Sequence, residues 1–100
     1  MGPVGKASDL AIACKTDEAL AQINSVPFEK NLASAMGDLT RIVILRDAGR
    51  TAEAQAALAE RNTHWHVDEK GAAESEKSIS ETVEKLREER LKKTGQRTCH

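Results

Sequence analysis

Aromatic side chains are nearly absent: there is no Tyr, and Phe28 and Trp65 are the only two aromatics among 100 residues. That excludes base-stacking surfaces and carbohydrate platforms, which are built from several aromatic faces. An excess of one charge is missing too. Fifteen basic and sixteen acidic residues give a formal net charge of −1, so the broad basic field of a non-specific nucleic-acid binder is not present. No apolar run approaches the roughly 18 residues of a membrane helix; the longest is Ile42-Val43-Ile44-Leu45. The opening Met1-Gly2-Pro3-Val4-Gly5-Lys6 holds no hydrophobic targeting region. No phosphate loop, catalytic constellation or strong metal signature occurs, and the expectation is a protein without enzyme activity or cofactor.

What the chain does contain is helical periodicity over a length that suits one domain, residues 1–100. Of its 39 % hydrophobic residues 15 are Ala, so the core rests on few large aliphatic side chains and a covalent staple or a partner would help it. Ser8 or Asp9 is placed to cap a first helix over 9–24, with Ile12, Ala19, Leu20 and Ile23 on one stripe. Val26-Pro27 breaks it, and Pro27 then suits the first turn of a second helix over 27–48. Phe28, Leu32, Ala35, Met36, Leu39, Ile42 and Val43 line one face of that helix. Ile44 and Leu45 fall off the face, so its last turns are apolar nearly all round and must be enclosed by several neighbours or by another subunit. Gly37 in its middle suggests a close helix crossing or a bend. Gly49 stops the helix, and Thr51 caps an Ala-rich third helix over 52–64, with Ala54, Ala57 and Leu58 inward and Arg61 and Trp65 continuing the line.

Residues 67–74 lack a period and read as a linker. Ser78 with Glu81 forms a capping box for a fourth helix over 78–93 carrying Ile79, Val83 and Leu86, stopped by Gly95. Residues 1–7 and 96–100 read as flexible, and no repeat stands out at a fixed period. The fold class is therefore all-α, a compact antiparallel bundle of about four helices. The stretch Asp47-Ala48-Gly49-Arg50-Thr51-Ala52-Glu53-Ala54-Gln55-Ala56-Ala57-Leu58 resembles the hairpin of a tetratricopeptide repeat, with Gly49, Ala54 and Leu58 at its turn, close-packing and second-helix positions. Asp38 and Arg41 depart from that pattern, standing where large apolar residues are expected. The resemblance implies a peptide-binding surface, which takes several repeats to form.

Cys14 and Cys99 are the only cysteines. Tracing an up-down bundle puts both at the same end, so a disulfide is geometrically allowed; it would close a loop of about 85 residues, worth roughly 4–5 kcal/mol by chain entropy. An exported or periplasmic location follows if the bond forms, a cytoplasmic one if it does not. His64 and His66 flank Trp65. On a helix they point in different directions, and they lie at the end opposite Cys99 and His100, so a metal site is not expected. Lys85-Leu86-Arg87-Glu88-Glu89-Arg90-Leu91-Lys92-Lys93 interleaves both signs and reads as a solvated, salt-bridged face.

The functional expectation is a non-enzymatic helical interaction protein that binds another protein or its own copy, with no small-molecule substrate, membrane span or nucleic acid as partner. Ile42, Val43, Ile44 and Leu45 are the expected interaction surface, at the interface of a homodimer. Two other classes stand beside it. One is a small exported, disulfide-stapled accessory protein of an envelope or transfer apparatus; the other is a small regulator docking on a nucleic-acid-associated enzyme.

Overall fold

A computed structural model of the chain describes residues 3–25 and 32–99. Five helices and no strand are found among them: α1 (Pro3–Ile12), α2 (Thr16–Asn24), α3 (Leu32–Asp47), α4 (Thr51–His64) and α5 (Glu69–Thr94). Phe28 and Pro27 lie outside the described residues, as do the side chains of Leu32 and Ala35.

The expected first helix is two. Residues 3–7, read as flexible, belong to α1, and Ser8 and Asp9 are inside it rather than at its start. The break falls at Ala13-Cys14-Lys15. Cys14 takes φ 64°, its N–H donates to the Ala11 carbonyl (3.0 Å), and the Lys15 N–H donates to the Leu10 carbonyl (2.8 Å). Those two bonds with a left-handed residue between them are the Schellman way of ending a helix. The Lys15 carbonyl then accepts from Ala19 N–H (2.9 Å) and starts α2.

The same corner recurs at the end of α3. Gly49 takes φ 78°, its N–H reaches the Arg46 carbonyl (3.1 Å), Arg50 N–H reaches that of Leu45 (2.9 Å), and the Arg50 carbonyl accepts from Ala54 N–H (3.0 Å). Lys15 and Arg50 share nearly the same backbone, φ −94° with ψ 64° and φ −84° with ψ 64°. Thr51 is thus the first helical residue of α4, and Arg50 holds the cap position expected of it. Ala13, Thr16, Glu18, Ala19 and Ala21 recur in register as Ala48, Thr51, Glu53, Ala54 and Ala56. Two helical hairpins with the same corner therefore follow each other, and the shared residues cluster at the corner and in the first turns of the helix after it. Their helices differ too much for a period to show in the sequence.

Between α4 and α5 a third Schellman ending uses His66 at φ 53°, with His66 N–H on Thr63 O (3.3 Å) and Val67 N–H on Asn62 O (2.9 Å). α5 then begins about nine residues before the expected start. The Asp68 carboxylate accepts from Gly71 N–H at 2.7 Å and is its N-cap; Ser78 and Glu81 are interior, and residues 69–74 of the expected linker are the first turns of the helix. Its early turns present Gly71, Ala72 and Ser75 inward, only half-buried, so the apolar period becomes visible only at Ile79. Gly95 at φ 79° closes α5 as expected, its N–H on the Leu91 carbonyl (3.0 Å).

α3 is the hub: α1, α2, α4 and α5 all pack on it, whereas α4 packs chiefly on α3. That explains why its last turns are apolar all round. Ile42, Val43, Ile44 and Leu45 are all buried within the one chain, in a core with Ala7, Ala11, Ile12, Ala19, Ile23, Ile79, Val83 and Leu86. The radius of gyration is 13.0 Å, what a compact chain of this length shows, about 13 Å. α1, α3 and α5 all run toward the same end, because Ile12, Asp47 and Arg90 near their C-termini converge there. The arrangement is two antiparallel hairpins closed by a long fifth helix, and not a simple up-down bundle of four.

Candidate functional site

The end where those three helices converge carries the densest chemistry. Arg90 follows Ile79, Val83 and Leu86 on the buried stripe of α5 at helical spacing, and is wholly buried. All of its N–H directions are used. Nε donates to the Ile12 carbonyl (3.1 Å), Nη2 to the Ala11 carbonyl (2.8 Å) and Asp47 Oδ2 (2.6 Å), and Nη1 to Asp47 Oδ1 (3.0 Å) and the Arg97 carbonyl (2.9 Å). Asp47, 2 % exposed, also accepts from Arg87 Nε (3.1 Å). Arg87 Nη2 donates to the Asp47 carbonyl at 3.2 Å.

Ile12 and Asp47 are the last helical residues of α1 and α3. Two arginines one turn apart on α5 therefore cap the matching carbonyls of the two hairpin corners. Each places a positive charge on the negative end of a helix dipole and satisfies a carbonyl that the helix leaves without a partner. The Asp47 carboxylate bridges both arginines. A buried charge is tolerable only when paired and hydrogen-bonded to this degree.

The disulfide lies beside this cluster. Cys14 and Cys99 are paired, with Cα atoms 5.6 Å apart, inside the range a disulfide spans. The pairing is the expected one, although Cys14 sits in the corner after α1 and not early in a longer helix. Cys99 Sγ lies 4.0 Å from the Ala11 carbonyl, which also takes Arg90. The segment 96–99, read as flexible, is thus tied to the body. Besides the bond, its ties to the body include Arg97 O on Arg90 and an exposed ion pair of Arg97 with Glu84.

Around the cluster the second corner is dressed by ion pairs. Arg50 grips Glu53 with Nε on Oε1 (2.9 Å) and Nη2 on Oε2 (2.8 Å), and reaches Asp17 of α2 at 3.1 Å. The hydrogen bonds from Arg50 hold the Glu53 carboxyl below the usual carboxylate range, and the same bonds raise Arg50. Arg46 bonds Glu76 of α5 at 2.8 Å.

At the opposite end lies a weaker polar network. Trp65 Nε1 donates to Asp38 Oδ2 (2.9 Å), Arg41 Nη1 to Asp38 Oδ1 (3.2 Å) and Arg41 Nε to Asn24 Oδ1 (3.0 Å), joining α4, α3 and α2. Asp38 and Arg41, the two departures from the repeat pattern, are therefore the residues that receive the indole and tie the two hairpins. His64 packs edge-on against Trp65, ring centroids 5.8 Å apart. Among the described residues no three His, Cys, Asp or Glu side chains gather in a way that could hold a metal ion. Among the described residues no helix is long and apolar enough to cross a membrane.

The surface expected at Ile42, Val43, Ile44 and Leu45 is not a surface. Ile42 is 0 % and Ile44 1 % exposed, because α1, α2 and α5 take up the faces that a second copy was expected to cover. Sequence reasoning also passed over Asp47, Arg87 and Arg90. Their signal was an arginine in register with a buried apolar stripe, and an aspartate one turn beyond Val43 on another. A scan against protein-family models finds no match, and neither the curated proteins nor the solved structures yield one.

Proposed function

We propose that this is a small, non-enzymatic, disulfide-stapled interaction protein of an oxidising compartment, an accessory component that binds another protein by its helical outer faces. The observation that carries the reading is the Cys14–Cys99 pair, which ties the first hairpin corner to the segment after α5. Paired cysteines in a short chain belong to compartments where thiols are oxidised. A body of this size, with an alanine-rich core, gains much from closing so long a loop. Among the described residues most large aliphatic side chains are spent on its own core, Leu91 excepted. The outward faces of α2 and α4 carry alanine and acidic residues and that of α5 charges of both signs, the composition of a polar, reversible contact and not of an obligate dimer interface. Self-association through Ile42–Leu45 is accordingly not part of the proposal.

The test is lysine-directed crosslinking in cells that produce the chain at native level, read beside sedimentation of the purified protein. A discrete crosslinked adduct with a different protein, together with a monomer in sedimentation, is expected. No adduct at any crosslinker length, or one built only of copies of this chain, overturns the proposed role.

A further inference from the structure

Shifting the chain by 35 residues lays Cys14 on Gly49 and Lys15 on Arg50, and Asp17, Leu20, Ile23 and Asn24 of α2 on Ala52, Gln55, Leu58 and Ala59 of α4. On α2 that flank takes α3 and the corner after it. Asn24 Oδ1 accepts from Arg41 Nε (3.0 Å), Asp17 Oδ1 accepts from Arg50 Nη1 (3.1 Å), and Ile23 is 0 % exposed. Helical hairpins that stack present the same flank to the next helix each time. α5 does not take it. It meets α4 where Arg61 Nη1 donates to Ser75 Oγ (2.7 Å), then packs on α3 and crosses to the end of α1, where Arg90 holds the Ala11 and Ile12 carbonyls. Ala52, Gln55 and Ala59 are therefore exposed, and Leu58 is half-buried where its counterpart Ile23 is sealed. The flank carries no charge, and its margin is acidic: Glu53, held by Arg50, and Glu60, exposed and in none of the ion pairs among the described residues.

We propose that this flank of α4 is where the partner docks, and that the docking element is one amphipathic helix seated on α4 as α3 is seated on α2. The inference rests on the binding role proposed above and narrows it to one face and one kind of partner. Ala52 and Ala59 have no side chain beyond Cβ, which lets two helix axes approach closely. Leu58 supplies the apolar contact and Gln55 a polar one. Where α3 and its corner bring Arg41 and Arg50 to Asn24 and Asp17, α4 has alanines, and its acids stand one residue further on, at Glu53 and Glu60. The partner helix accordingly carries small or aliphatic residues along one stripe and lysine or arginine beside it. Glu53 is engaged by Arg50, so Glu60 is the acid such a cation meets.

The probe is a synthetic helical peptide of leucine, alanine and lysine, its lysines beside the apolar stripe, titrated into the 15N-labelled, oxidised full chain. Amide shift changes are expected to concentrate on residues 51–63. Ala59→Arg fills the seat from an exposed position, so it should keep the wild-type thermal melt while weakening the peptide at least about tenfold. Glu60→Gln should weaken it about two- to fivefold, as for the loss of one exposed ion pair. A peptide with glutamate in place of lysine should bind more weakly than the lysine one. Shifts centred on α2 or α5, an unchanged affinity in Ala59→Arg, equal binding of the two peptides, or no shift change at millimolar peptide would each refute the seat. The binding role is judged apart from these, by crosslinking: an adduct with another protein beside shifts centred elsewhere keeps the role and removes this surface.

Discussion

Replacing Asp47 by Ala should be the most damaging single change available at the convergent end. The substitution removes the acceptor of two Arg90 hydrogen bonds and one from Arg87. It leaves a guanidinium that is 0 % exposed with carbonyl partners but no counter-charge. Breaking a buried pair from one side costs about 3–5 kcal/mol. Two smaller effects run the other way. Ala is the better helix former by about 0.7 kcal/mol, and a carboxylate at the last helical residue opposes the dipole by about 0.3–1 kcal/mol. The net loss is about 1.3–4 kcal/mol. For a body of this size each kcal/mol moves Tm by about 4–8 °C, so a fall of at least about 5 °C is expected. Urea unfolding followed by circular dichroism measures it. The double variant Asp47→Leu, Arg90→Leu should recover much of the loss, because apolar pairs often replace buried ion pairs at little cost. A loss under about 1 kcal/mol for Asp47→Ala, or a double variant worse than the two singles added together, would show that the pair is not what holds the corners.

Gly37→Ala should stabilise by about 0.5–1 kcal/mol, since a Cβ there meets no described atom within 4 Å, whereas Gly71→Ala should gain nothing because its Cβ meets Val67 Cγ1 at 3.0 Å and the capping Asp68 Oδ1 at 3.1 Å; paired thermal melts check both. His66→Gly should stabilise by about 1 kcal/mol, because a residue with a Cβ is held at φ 53° where only glycine sits without strain; a lower Tm would contradict the assignment of a simple helix stop. The hydrogen bonds from Arg50 hold the Glu53 carboxyl below its ordinary value of 4.5, so its pairing adds stability above that value and loses it as pH falls through the lowered folded one. Glu53→Gln should therefore show a shallower loss of urea midpoint on acidification than the wild type.

The helical class was legible because apolar residues recur at three and four along every element, and the α3 hairpin was legible because Gly49 marks its stop. The corner after α1 was not. It uses the same Schellman geometry with Cys14 in the left-handed position, and His66 does so after α4; non-glycine residues rarely adopt it, so neither announces a helix end. The start of α5 was hidden for a different reason. Asp68 and Gly71 form a good cap, but two turns of small or charged residues separate it from Ile79, and periodicity begins only there. The disulfide was reachable from end-matching, although its partner cluster was not. Arg87 and Arg90 sit in a run of alternating charge that elsewhere would be a solvated face, and only the third dimension brings Asp47 and the carbonyls of Ala11 and Ile12 to them. Ile42–Leu45 misled because four large apolar residues in a row signal enclosure without saying by what; α1, α2 and α5 supply it.

The central claim is that this chain works with Cys14 joined to Cys99. The most direct measurement is the intact mass of the protein recovered from its native cells under a thiol-blocking alkylating agent, unfolded without reductant, together with the peptide map. A mass two hydrogens below that of the reduced chain, no alkyl adduct, and one cross-linked peptide pair containing residues 14 and 99 are expected. A chain carrying two alkyl groups at Cys14 and Cys99 would contradict it.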